Sequence, residues 1–212
     1  IPLHRPSKRM MAPAQMFVTA EAKWNAVVER LQILSAAGRP VLVGTDSVAD
    51  SEYLSERLKK TQLPHAVLNA LHDDDEAMIV SQAGGMGNIT IAATMAGRGT
   101  DIPLGPGVEG RGGLHVICCQ HNGARRIDRQ LYGRCARRGD PGSVETMLSL
   151  EDPLISQFLP GALKSFVLRW WNPASRLPRL LAQILLCLPQ IFEERRQWRQ
   201  RSQLLQQDTL LD

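Results

Sequence analysis

The stretch Ile89-Thr-Ile-Ala-Ala-Thr-Met-Ala-Gly-Arg-Gly-Thr-Asp-Ile102 decides the fold class. Its first five residues are apolar or β-branched without a break, which is the pattern of a short strand covered on both faces. The strand runs directly into a loop. There Gly97 and Gly99 allow the backbone to come close to a ligand, Arg98 offers a fixed positive fork, and Asp101 can accept from a hydroxyl. A tight loop with one surface salt bridge accounts for the same residues equally well.

The same alternation of periods repeats on either side. Upstream, Thr19 caps a helix whose apolar positions Trp24, Val27, Val28, Leu31 and Leu34 keep a 3.6-residue spacing up to Gly38. A short buried strand follows at Pro40–Gly44. Asp46 or Ser47 then caps a second helix through Tyr53, Leu54 and Leu58, Ala66-Val-Leu68 gives another strand, and a helix runs from about Asp73 to Gln82. Downstream come a Gly-rich loop at 97–113, a strand Leu114–Cys118, a basic helix from about Ala124 to Arg134, and a strand Ser143–Leu150. Strands alternating with short helices predict an α/β fold, an open parallel sheet with helices on both faces. Such sheets bind ligands beyond the carboxyl ends of their strands, so the loops after Ala93 and after the basic helix are the candidate binding elements.

Composition excludes other classes. With 212 residues, 43% hydrophobic, 22% charged and 5% aromatic, the chain is an ordinary globular sequence rather than a disordered, collagenous or disulfide-rich one. Residues 1–159 carry 17 basic and 17 acidic side chains, whereas 160–212 carry 8 and 4, so the whole net charge of +4 lies in the tail. The tail reads as helical only. Leu163–Trp171 and Leu177–Leu188 are apolar, while Phe192–Gln207 is polar and rich in Arg and Gln. The Leu180–Leu188 run between Pro178 and Pro189 is far shorter than the ~20 residues that span a bilayer. Cys118, Cys119, Cys135 and Cys187 form no C-x-x-C pair and have no zinc-type His spacing, so no metal site is expected and a reduced compartment fits. The chain opens with Ile1 and shows no signal-peptide pattern, and it reads as part of something longer.

A second cluster is Arg125-Arg-Ile-Asp-Arg-Gln-Leu-Tyr-Gly-Arg-Cys-Ala-Arg-Arg-Gly-Asp-Pro-Gly142. Arg134 and Arg137 are three apart, so on a helix end they would point the same way. Phosphoryl transfer asks a protein chiefly for positive groups over the γ-phosphate, which a pair of arginines at a domain edge supplies. A solvated basic helix face is the bland alternative. The Gln-x-x-Gly-Arg-x-x-Arg spacing, taken with the first loop, favours a nucleotide-facing surface.

Here a resemblance becomes specific. Thr94–Asp101 and Gln130–Arg137 look like motifs V and VI of superfamily 2 ATPases. Arg39–Thr45, Leu68–Ala70, Ser81–Gly84, Met95–Ile102, Gly112–His115, Arg125–Asp128, Gln130 with Gly133-Arg134, and Leu148–Asp152 resemble, in order, the second nucleotide-binding domain of the SecA family, the motors of bacterial preprotein translocation. Phe17-Val-Thr with Glu21-Ala-Lys-Trp24 is similar too. The likeness covers residues 1–159, predicting a second RecA-like motor domain there and a helical scaffold-like extension at 160–212.

The resemblance implies that Gly97, Arg98, Gly99 and Asp101 face a bound ATP, and that Arg134 and Arg137 reach its phosphates, with Arg137 as the arginine finger. The family usually has Gly at the position of Ala136 and Gln at that of Arg138, so a methyl group and an extra charge flank the finger. No Gly-x-x-x-x-Gly-Lys-Ser/Thr occurs in the chain, and Asp73-Asp-Asp-Glu76 is better explained as an acidic helix start than as a metal-binding box. ATP would therefore be shared with a first nucleotide-binding domain that supplies the Mg²⁺ site. The implied partners are that domain, a translocation channel and a preprotein, and the implied location is cytoplasmic, peripheral to the bacterial inner membrane.

Two rivals share these residues. A helicase half acting on nucleic acid carries the same two motifs, although the charge-balanced first 159 residues lack the basic, aromatic-interleaved surface that such a partner favours. A degenerate, non-catalytic fragment of the same family is compatible with Ala136. In the tail, Trp170 and Trp171 beside Lys164 and Arg169 either pack on the motor domain or meet an anionic membrane surface. His115, inside a strand, is expected to be a satisfied core imidazole rather than a ligand.

Overall fold

The structure, a computed structural model, describes residues 6–68, 73–93, 101–158, 160–162, 165, 169, 188–200 and 202–203. Seven strands form one sheet: β1 (Lys8–Met11), β2 (Gln15–Phe17), β3 (Val41–Thr45), β4 (Ala66–Leu68), β5 (Ile89–Ala93), β6 (Leu114–Cys118) and β7 (Pro141–Ser149). The strand order is β1-β7-β6-β3-β5-β4, with β2 also on β7, and every pairing is parallel. Among the described residues the helices are α1 (Ala20–Ala36), α2 (Val48–Lys60), α3 (Asp73–Gln82), α4 (Arg125–Tyr132) and α5 (Pro153–Phe158), with a 3₁₀ turn at Glu109–Arg111 and a further helical stretch at 188–200.

Local chemistry explains the boundaries. The Thr19 hydroxyl accepts from the Ala22 N–H at 3.2 Å, and the Ser47 hydroxyl accepts from the Asp50 N–H at 3.1 Å, each satisfying an orphan donor of a first helical turn. Gly38, at φ +70°, ends the chain segment after α1 in the left-handed region that glycine enters freely. In the strands, alternate residues serve opposite faces. Val41, Val43, Ile89, Ile91 and Ile117 join Trp24, Val27 and Leu31 of α1 and Leu54 and Leu58 of α2. Leu42, Ala92, Leu114, Val116 and Val144 join Val80 of α3 and Leu131 of α4 on the other face. The expected open parallel sheet with helices on both faces is what the chain forms.

The two strands before Thr19 have no counterpart in the sequence pattern. β1 is largely exposed, with Met10 62% and Met11 56% accessible, so it lacks apolar alternation. Its ladder is supplied by β7, from Lys8 opposite Pro141 to Met11 opposite Val144. A buried ion pair ties α1 to the turn after β7. The Lys23 ammonium, 1% exposed, donates to Asp152 at 2.6 Å and to the Cys119 carbonyl at 3.1 Å, and lies 4.5 Å from the Trp24 ring centre.

His115 is the satisfied imidazole expected. Its Nδ1 lies 2.6 Å from the Ser143 hydroxyl and its Nε2 3.3 Å from Glu145, all three buried. Burial makes the Cys118 and Cys119 thiols hard to ionise, pushing Cys119 up to about 12, so neither is a reactive nucleophile. Among the described residues no cluster of His, Cys, Asp and Glu is arranged to hold a metal, and no helix is long and apolar enough to cross a membrane.

Candidate functional site

The site is assembled from two loops on the face covered by α3 and α4. Asp101 belongs to a segment pressed onto the end of α3. The Gly105 N–H donates to the Gly84 carbonyl at 2.9 Å, and a Cβ on Gly84 would sit 1.9 Å from the Pro103 carbonyl oxygen, so only glycine permits that approach. The basic residues follow α4, whose Leu131 lies so close over β3 that a Cβ on Gly44 would be 2.3 Å from its side chain.

Asp101, Arg134, Arg137, Arg138, Asp140 and Glu109 line one cavity of about 220 Å³. Within it Arg137 is held from two sides. Its Nε donates to the Gly133 carbonyl at 2.7 Å, and its NH1 donates to Asp101 Oδ1 at 3.1 Å. Arg138 reaches the other oxygen, Oδ2, at 3.2 Å from a side chain that is 82% exposed. Asp101 thus holds two guanidiniums, one on each carboxylate oxygen. A smaller cavity of about 50 Å³ lies next to the first, at the ends of β3 and β5, and Arg134 lines both, with Thr45, Gln120, Asn122 and Gln130 as its other polar walls.

Two expectations are corrected. The two arginines do not share a helix end: α4 stops at Tyr132, the Gly133 N–H closes its last turn on Arg129 at 2.8 Å, and Arg134 and Arg137 lie in the turn beyond. They face one cavity because that turn folds back, not because they are three apart on a helix. The carboxyl-end rule also misplaces the arginine loop. α4 carries the chain from the carboxyl end of β6 back to the amino ends of β6 and β7, so Leu114, the first residue of β6, and Asp140, the residue before β7, line the arginine cavity.

The backbone around Arg137 is unusual. Ala136 and Arg138 both have φ of +55°, the left-handed region that costs a residue with a Cβ roughly 1–2 kcal/mol. These are the two positions at which the chain departs from the Gly and Gln of the resemblance. Strain of this kind gathers where structure around it over-determines a functional geometry. Of the other candidates, Gly97, Arg98 and Gly99 lie outside the described residues, as do Trp170, Trp171 and nearly all of the two apolar tail segments. Asp140, which also lines the cavity, stands in the Gly139-Asp140 pair ahead of β7, and its local sequence assigns it no role.

Comparison with known proteins gives this geometry a context. Among solved structures, the E. coli DEAD-box protein SrmB, crystallised with regulator of ribonuclease activity A, superposes with a TM-score of 0.56 at 20% identity over 71% of this chain and 82% of that one, a likeness of fold alone. The protein translocase subunit SecA 2 of Chlorobium chlorochromatii is 43% identical over 100% of this chain and 32% of its own length. The protein translocase subunit SecA of Clostridium perfringens strain 13 is 51% identical over 79% of this chain and 20% of its own length. The chain therefore spans a third or less of these curated relatives. A family model, SecA P-loop domain, matches residues 6–111 and 106–171, which together take in both site loops and all seven strands. With that coverage and those identities, the chain belongs to the SecA P-loop domain family.

Proposed function

We propose that the chain is the arginine-bearing half of a SecA-type motor, in which residues 1–159 form the second nucleotide-binding unit and 160–212 a helical extension. The observation that carries this is the Arg137–Asp101 pair in a cavity of about 220 Å³, flanked by two residues in strained backbone. The donor set fits a phosphate group. Three guanidiniums from Arg134, Arg137 and Arg138 converge on the cavity wall, against the carboxylates of Asp101, Asp140 and Glu109. A bound ATP would supply the transferable γ-phosphoryl group, and a first nucleotide-binding domain would supply its β-phosphate cradle and Mg²⁺ ligands.

The chain's own residues then act by positioning and charge. Asp101 and the Gly133 carbonyl hold the Arg137 fork in one orientation before any ligand arrives. Arg137 meets charge that grows in the transition state, while Arg134, lining both cavities, holds phosphate in the ground state as well. By this reading the complete motor couples hydrolysis to protein movement across the bacterial inner membrane, with a channel and a preprotein as partners and a cytoplasmic, membrane-peripheral location. The test is reconstitution with an upstream first nucleotide-binding domain. ATP turnover that appears only in the combined protein supports it, and a combined protein that binds ATP but shows no Arg137-dependent turnover makes the chain a non-catalytic relative.

A further inference from the structure

We propose that the helical stretch 188–200 is a positioning element for the arginine loop, acting through the first turn of α4, with Gln190 and Glu194 as its positioning residues. The inference rests on the arginine loop being the working part of the site.

α4 has only eight residues, a length that is not stable by its own hydrogen bonds, and its N-cap, Ala124, offers no side-chain acceptor. The missing partner comes from 69 residues away. Glu194 Oε1 accepts from the Arg125 N–H at 2.9 Å, which places a carboxylate at the positive end of the helix. Four residues before Glu194, Gln190 is 3% exposed and uses its amide nitrogen twice, donating to the Asn122 carbonyl at 3.0 Å and to Asp128 Oδ2 at 2.5 Å.

Asp128 is the junction. It is 3% exposed, and its other oxygen accepts from both the backbone and the side-chain nitrogen of Asn122, at 3.0 and 2.9 Å. His121 lies 2.9 Å from Oδ2. Burial alone pushes this carboxyl up, but the neighbouring His121 and the Asn122 bonds outweigh it and hold it below the usual carboxylate range. The contact is close-fitting elsewhere too. A Cβ on Gly123 would lie 3.0 Å from both Glu193 and Gln197, and Phe192 stacks on Phe158 of α5 with ring centres 6.0 Å apart.

The opposite end of α4 leads without a break to Gly133, whose carbonyl holds Arg137. A shift of the 188–200 stretch must therefore move the first turn of α4, and with it the anchor of Arg137.

The test uses the whole chain and reads two signals: amide exchange over 125–132 and the NMR resonance of the Arg137 Nε–H. Glu194→Ala and Gln190→Ala should each speed α4 exchange about five- to tenfold, the scale of one lost cap, and should shift or broaden the Arg137 signal. Glu194→Gln, which keeps an acceptor oxygen, should restore both. Faster exchange confined to 188–200, with Arg137 unmoved, overturns the proposal and leaves that stretch as a cover. If the alanine variants do not fold, the Glu194→Gln and wild-type signals are compared while 188–200 is loosened by mild urea. Loss of the Arg137 signal together with Glu194 contact supports the coupling, and its persistence overturns it. The nucleotide reading is tested separately, with a non-hydrolysable ATP analogue added to the chain joined to a first nucleotide-binding domain: an unmoved Arg137 signal in that protein overturns the nucleotide reading and not the coupling.

Discussion

Arg137 and Asp101, thirty-six residues apart in the chain, meet at 3.1 Å on side chains that are each about one-third exposed. So open a pair contributes little to stability, since half-solvated ion pairs are worth roughly 0–1 kcal/mol. Its consequence is orientation. A guanidinium tethered at Nε by Gly133 and at NH1 by Asp101 has lost its rotamer freedom before ligand binding, which is what a group acting in a transition state requires.

Joined to a first nucleotide-binding domain, the Arg137→Ala protein should lose ~10³-fold in kcat with a much smaller change in ATP affinity, because a finger acts on charge that develops during transfer. Arg134→Ala should be milder in kcat. The chain by itself should give no turnover above background. Steady-state kinetics decide this: equal losses of binding and turnover in both variants would make the arginines ground-state ligands.

Ala136→Gly should raise stability by up to about 1 kcal/mol, since glycine adopts the observed φ of +55° without a Cβ penalty. For a chain of this size that is a rise of roughly 2–4 °C in Tm. Calorimetry showing a lower Tm would mean that the methyl group contributes packing that exceeds its strain.

Gly84→Ala should destabilise by roughly 1–3 kcal/mol, the scale of overpacking, because the new Cβ would lie 1.9 Å from a backbone oxygen that cannot rotate away. Relief requires the 101–105 segment to lift, so Asp101 should also leave Arg137. Denaturant melts check the first effect and the Arg137 Nε–H resonance the second; an unperturbed variant would contradict both.

Lys23→Met removes the partner of an Asp152 carboxylate that is 4% exposed, and a buried charge left alone costs about 3–5 kcal/mol. Asp152 also holds the Ser149 N–H at 2.8 Å and the Ser149 hydroxyl at 2.7 Å, so the turn after β7 should loosen with it. The double variant Lys23→Met/Asp152→Asn should recover part of the loss. Chemical unfolding of the wild type, Lys23→Met, Asp152→Asn and the double variant measures the coupling.

Stability should fall on mild acidification. Burial holds the His115 imidazole below its ordinary value; the Glu145 carboxylate beside it opposes this, and the Arg39 and Arg30 charges add to it. The unfolded chain therefore takes up a proton near pH 6.5 that the folded one resists. Stability is fully present above that value and is lost as pH drops through the lower folded value. Tm measured from about pH 7 to pH 5.5 should decline, and His115→Gln should flatten that slope. An identical slope in the variant would assign the effect to another group.

The sheet was legible because period and length are local properties. Val41–Thr45, Ile89–Ala93 and Leu114–Cys118 are continuous apolar runs, α1 has a regular stripe from Trp24 to Leu34, and Thr19 and Ser47 cap where a polar residue precedes such a stripe. β1 and β2 were not legible, since an exposed edge strand has no pattern of its own and exists because β7 offers it a ladder.

The same division holds at the site. Residue type and spacing marked Asp101, Arg134 and Arg137 as candidates: a carboxylate in a glycine loop that can accept from a hydroxyl, and two guanidiniums of the kind that meet phosphate. Tertiary structure alone decided that Asp101 tethers Arg137, that the arginines sit beyond α4 near the amino ends of β6 and β7, and that Glu194 caps α4 from 69 residues away. Each of these depends on where a chain returns in space after a turn, and a turn direction is set by packing against neighbours such as Gly44 and Gly84 rather than by the residues that bend.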